Sequence, residues 1–60
     1  MTKFIKLIEL GNDRVNYINV DHIAIVCKDA DEDTMLMIRE VCIYFKESPE
    51  EVMKLIEEKN

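Results

Sequence analysis

Apolar and polar residues change places in short runs along most of this chain, and only near its end does the period lengthen. The first run, KFIKLIEL (3–10), mixes the two classes in a way that suits a strand, whose successive side chains point to opposite faces. Phe4, Ile5, Leu7 and Ile8 also have helical spacing, so a helix competes for this segment. The Phe and Ile content and the Gly11-Asn12-Asp13 turn signal that follows favour the strand. RVNYINV (14–20), rich in β-branched and aromatic residues, predicts a second strand and therefore a hairpin. The polar interruption Asn19-Val20-Asp21-His22 predicts a short turn that redirects the chain. IAIVCK (23–28) predicts a third strand, and its nearly continuous apolar run implies cover on both faces. Beyond the acidic segment Asp29-Ala30-Asp31-Glu32-Asp33, TMLMIRE (34–40) and VCIYFKE (41–47) predict two more strands. They meet between Arg39 and Val41 without the Gly or Asn usual in a tight hairpin, which leaves room for a bulge there.

The longer period belongs to KESPEEVMKLIEE (46–58). Ser48 is a preferred N-cap, because its hydroxyl accepts from a backbone N–H that has no partner inside the helix. Pro49 follows at the first helical position, where the missing N–H costs nothing. Glu51, three residues after Ser48, completes a capping box, and Glu50 and Glu51 face the positive end of the helix dipole. Glu50 and Lys54 stand in the favourable i,i+4 order, and Lys59 suits the negative end. Val52, Met53, Leu55 and Ile56 form one apolar stripe. A helix of about eleven residues is marginal in isolation, so the stripe is expected to dock on the strands.

The expected fold is α+β: one domain over residues 1–60, with about five strands in a small curled antiparallel sheet (β-β-β-β-β-α) and the C-terminal helix packed on one face. One helix covers one face of a sheet. Leu36, Ile38, Ile43 and Phe45 are assigned beneath it. The opposite alternation, Met35, Met37, Cys42 and Tyr44, is apolar where a solvated face would carry charge. These four residues are the candidate interface, and a homo-oligomer, with a dimer favoured, is the simplest way to cover them.

Composition narrows the rest. With 48% hydrophobic and 35% charged residues and a single Gly and Pro, the chain is of the folding kind. A net charge of −5 and eight scattered Lys and Arg residues argue against nucleic acid and anionic membranes as partners. The start lacks the apolar core and cleavage site of a signal peptide and no run reaches membrane-spanning length, so a cytoplasmic location is expected. Cys27 and Cys42 sit in apolar runs without zinc spacing, and are read as small core hydrophobes.

Two constellations suggest chemistry. Asp29-x-Asp31-x-Asp33, with Glu40 eleven residues after Asp29, reproduces the acidic positions of an EF-hand calcium loop. Thr34 stands where that loop needs Gly, and residues 35–38 are apolar. A solvated hairpin tip whose acids discourage edge-to-edge association is the better reading. His22 beside Asp21 has the parts of an oriented base, but the available nucleophiles are Ser48, claimed by the helix cap, and two cysteines in apolar runs. No catalytic residue, cofactor or metal ligand is assigned, and an enzyme is not expected.

The early hairpin, INVDHI (18–23), the two further strands and FKESPEEVMKLI (45–56) together resemble the FlbD/SwrD-type family. Asn19 and Ile23 match its strand-to-turn signature, and Lys46, Glu47, Ser48, Glu51 and Val52 match its strand-to-helix junction. The family pattern has a Gly-containing turn before the last strand, where this chain has Glu40-Val41. The resemblance extends to many short bacterial and phage proteins ending in KESPEEV. It implies a small cytoplasmic bacterial protein, a motility accessory or a phage or mobile-element effector; with the apolar face left uncovered, the expectation is a non-enzymatic module that binds itself and another protein. A nucleic-acid-binding regulator of CsrA-like topology is the alternative, since five strands and a C-terminal helix in a chain of this length is also the plan of those RNA-binding dimers.

Overall fold

Five antiparallel strands and one C-terminal helix follow one another in the computed structural model, which describes residues 3–58. Strand β1 (Phe4–Ile8) pairs with β2 (Val15–Asn19), and a 3-10 turn (Val20–His22) leads into β3 (Ile23–Lys28). Strands β4 (Thr34–Ile38) and β5 (Val41–Phe45) complete a second sheet in the order β3-β4-β5, and helix α1 (Pro49–Glu57) ends the described chain. The α+β class and element order are as the alternation predicts. The single sheet is not: the strands divide into a pair and a triplet.

The division lies between β1 and β5, and it is spanned rather than open. Glu9 and Phe45 form an isolated antiparallel bridge, Leu10 N–H donates to Tyr44 O (2.9 Å), and Lys46 N–H donates to Ile8 O (2.8 Å). The Glu47 carboxylate accepts from Ile8 N–H, its two oxygens at 3.1 and 3.2 Å. The strands thus run β2-β1-β5-β4-β3 around a shared interior, with β2 and β3 as the free edges.

Alternation decides what fills that interior. Ile5, Leu7 and Ile18 point inward from the pair, and Leu36 and Phe45 from the triplet, all buried. Ile38 and Ile43 pack against them, so the assignment of Leu36, Ile38, Ile43 and Phe45 to the covered face holds. From the helix, Val52 is fully buried and Leu55 and Ile56 pack beside it. Met53 is 42% exposed and lies off the docked stripe, because it stands about 100° around the helix from Val52, the residue the contact buries fully.

The local signals at the start of α1 are realised. Ser48 Oγ accepts from Glu51 N–H at 3.1 Å and Glu51 Oε1 accepts from Ser48 N–H at 3.4 Å, closing the capping box. The helix has nine residues rather than eleven. Lys59 lies outside the described residues; inside them the C-terminal carbonyls are met from the other end of the chain. Lys3 Nζ donates to Ile56 O at 3.1 Å and also to Glu58 O. This cation both satisfies orphan carbonyls and sits at the negative end of the dipole. Among the described residues the ion pair present is Lys46–Asp13, and Glu50–Lys54 is not one. Ser48→Ala is therefore expected to cost about 1 kcal/mol, read as a fall of several degrees in melting temperature. An unchanged melting curve would show that the cap does not limit stability.

One tight turn replaces the expected irregularity. At the β4–β5 loop, Ile38 pairs directly with Val41 with no shift of register, so there is no bulge. Arg39 turns the chain with φ 57°, a left-handed conformation that is uncommon for a residue with a side chain. Its N–H donates to His22 O at 2.9 Å, and this bond helps hold the strained residue in place. The bulge lies instead in β3, where the register shifts between Ile23 and Ile25.

Candidate interaction face

The outer face of the triplet is fixed by its register. In an antiparallel ladder, directly opposed residues share a face. Ile25 opposes Met37, which opposes Cys42, and Cys27 opposes Met35, which opposes Tyr44. The face is two rows of three, with Ile25, Met37 and Cys42 in one and Cys27, Met35 and Tyr44 in the other. None of the six is charged at neutral pH. Met35, Met37 and Cys27 are half-buried by their own neighbours, while Ile25 (45%), Tyr44 (39%) and Cys42 are open to solvent.

Met35, Met37, Cys42 and Tyr44, the residues that alternation singled out, are thus brought together on one surface. Two members escaped it. Ile25 and Cys27 lie in a run apolar at every position, and the bulge before Ile25 sets which of them face outward. The expected double cover of β3 is not observed, since Ala24 and Ile25 are exposed. Nor are the cysteines core residues: Cys27 is half-buried and Cys42 exposed, both on this face. They flank β4 in different rows, two strand spacings apart, or about 10 Å, which is beyond the reach of a disulfide within one chain.

The face has one polar border. Asp29, at the end of β3, lies near Tyr44, and its negative charge raises the phenol above its ordinary value, with burial a smaller cause. Asp29 also builds the β3–β4 tip, its Oδ1 accepting from Asp31 N–H (2.9 Å) and Asp33 N–H (3.0 Å). The carboxylates of Asp29, Asp31 and Asp33 lie within 4.8 Å of one another. Glu40, the last acid of the EF-hand pattern, is carried to the far end of the sheet by the whole of β4. The loop that a calcium ion needs is therefore not formed. Asp31→Asn with Asp33→Asn should change stability by no more than about 0.5 kcal/mol, and added calcium should leave the melting point unmoved. A calcium-dependent rise of several degrees would show that the tip binds the ion.

The other candidate residues are engaged in structure. Arg39 Nη2 lies 3.0 Å from His22 Nε2. A guanidinium can only donate, so the imidazole nitrogen is the accepting partner in this contact. Asp21, next to it, donates its backbone N–H to Asn19 Oδ1 at 2.9 Å within the 3-10 turn. Ser48 caps the helix.

A second apolar surface is less continuous. Phe4, Val15 and Tyr17 are exposed on the outside of the β1–β2 pair, but Lys6 opposes Tyr17 and Asn19 opposes Phe4. Among the described residues no helix is long and apolar enough to cross a membrane. Compared with protein-family models, with curated proteins and with solved structures, the chain finds no match in any of the three.

Proposed function

We propose that the protein is a small non-enzymatic interaction module that pairs with a second copy of itself through the outer face of β3-β4-β5. On the sequence resemblance, we place it in the bacterial cytoplasm as a motility accessory or a phage or mobile-element effector. One observation carries the reading: six neighbouring side chains from three strands make an uncharged face on a chain that is 35% charged. Three strands spaced ~4.8 Å apart and five residues at a ~3.4 Å rise give a footprint of about 240 Å², and side-chain relief brings the accessible area to roughly 300–400 Å². A chain of sixty residues has little interior with which to offset the cost of leaving such a surface wet. A two-fold axis through the face lets the same residues serve both copies.

The non-enzymatic part is supported by the engagement of His22 with Arg39 and of Ser48 with the helix. Three of the cations that nucleic acid would need are also engaged: Lys3 with the helix end, Lys46 with Asp13 and Arg39 with His22. Light scattering after gel filtration, over a concentration series, tests the reading. The expected result is a mass that rises from the 7.1 kDa of one chain to twice that value across the micromolar range. A single-chain mass that persists to high-micromolar concentration would refute it.

A further inference from the structure

Helix α1 and strand β3 border a shallow, open groove of about 580 Å³ on the opposite side of β3 from the uncharged face. Among the described residues its apolar lining is Val26, Pro49 and Met53, and its charged lining is Glu50, Glu57 and Glu58 with one cation, Lys54. This is where Met53 goes when it leaves the docked stripe. Lys28 is on the same strand but does not line the groove. Strand β3 is also a free edge: its ladder is with β4 alone, and among the described residues no other backbone or side-chain bond reaches Ala24 to Lys28. Half of its backbone donors and acceptors are therefore left to water or to an added strand.

We infer that this groove binds an extended basic peptide, which adds to the edge of β3 and pairs its Lys or Arg side chains with Glu50 and Glu57. Three features support that occupant. The open edge supplies main-chain hydrogen bonds for strand addition. The floor supplies a contact for one apolar side chain, at Met53 and Val26. The rim supplies the charge that selects the partner: Glu50 and Glu57 are seven residues apart, or about 10 Å along the helix. In an extended chain, alternate side chains share a face at a spacing of ~6.8 Å. A basic residue, an apolar residue two further on, and a second basic residue two beyond that would span Glu50, Met53 and Glu57, with the flexible ends of Lys or Arg making up the difference. A second copy of this chain is the wrong occupant, since its own groove would bring three more carboxylates against these three and like charges oppose such a contact. The site does not depend on self-association through the uncharged face.

Fluorescence anisotropy with a labelled peptide, Thr-Lys-Thr-Val-Thr-Lys-Thr, tests the inference on the whole chain. Binding in the micromolar range that weakens with salt is expected, and no binding of the same peptide with Glu in place of Lys. Glu50→Gln with Glu57→Gln should weaken binding about tenfold. Asp21→Asn with Glu40→Gln removes equal charge outside the groove and should leave it within about twofold. Two peptides N-methylated on alternate residues separate strand addition from charge alone, because each blocks one edge of the peptide and one of them must lose binding. Amide chemical shifts should move along β3 and α1. The inference is overturned if the peptide does not bind, if both pairs of substitutions weaken it equally, or if both N-methylated peptides bind as well as the parent.

Discussion

Replacing Phe45 with Ala is expected to unfold the chain. The ring is 1% exposed and stands where the two sheets join, since Phe45 pairs with Thr34 in β4 and bridges Glu9 beyond β1. It belongs to the same buried cluster as Leu7, Leu36 and Val52, so one side chain touches the fate of both sheets and the helix. Phe→Ala in a core costs about 3–5 kcal/mol, from lost transfer energy and the cavity left behind. At roughly 0.05–0.15 kcal/mol per residue, a chain of this length has about 3–9 kcal/mol in total. The loss is comparable to the whole. Circular dichroism should show no cooperative melt for Phe45→Ala at temperatures where the parent is folded. Phe4→Ala is the matched control, because Phe4 is 58% exposed and its loss should cost no more than about 0.5 kcal/mol. If Phe45→Ala melts cooperatively only a few degrees below the parent, the ring does not hold the junction.

Local signals and long-range ones were not equally legible in the sequence. The cap at Ser48, the turn at Gly11 and the inward faces of β4 and β5 follow from neighbours within a few residues, and each is where the pattern places it. The split of the sheet depends on contacts between residues far apart in the chain. Ile8 and Glu47 are 39 positions apart, and Lys3 and Ile56 are 53 apart. No periodicity encodes such pairs, and a Glu after a strand reads as ordinary surface. That Lys3 meets the helix's last carbonyls is equally unreadable, because β1 brings it there from the other end of the chain.

The candidate site divides in the same way. Met35, Met37, Cys42 and Tyr44 were legible because β4 and β5 alternate strictly and their register is unbroken. Ile25 and Cys27 were not, because a strand apolar at every position has no face until a bulge and a partner assign one. The groove was illegible for a related reason. Met53 has helical spacing with Ile56, but it stands about 100° around the helix from Val52, and only the docking of Val52 at the centre of the contact leaves it outside.

Met37→Glu is expected to convert the proposed dimer into a folded monomer. Met37 is on the central strand of the triplet, flanked by Ile25 and Cys42 in the same row, so any two-fold contact over this face brings it near its counterpart. Burying roughly 300–400 Å² on each copy at about 25 cal/mol per Å² gives a gross gain of ~15–20 kcal/mol. Association itself costs about 4–15 kcal/mol. The area is also below that of standard stable interfaces, so the net gain should lie in the micromolar class of about −8 kcal/mol. A symmetric dimer would receive two unpaired carboxylates at its centre, and removing each from water costs several kcal/mol, which exceeds what the contact can lose and still form. In the single chain Met37 is only half-buried, so the new carboxylate can reach water and the fold survives. Two readings should change and a third should not: the mass falls to 7.1 kDa and the melting temperature loses its dependence on concentration, while the circular dichroism spectrum stays that of the parent. Tyr17→Glu adds the same charge at the 68% exposed tyrosine of the other sheet and should leave the mass of the dimer unchanged. If Tyr17→Glu dissociates the dimer and Met37→Glu does not, the contact runs through the hairpin and the assignment of the interface to the triplet is wrong.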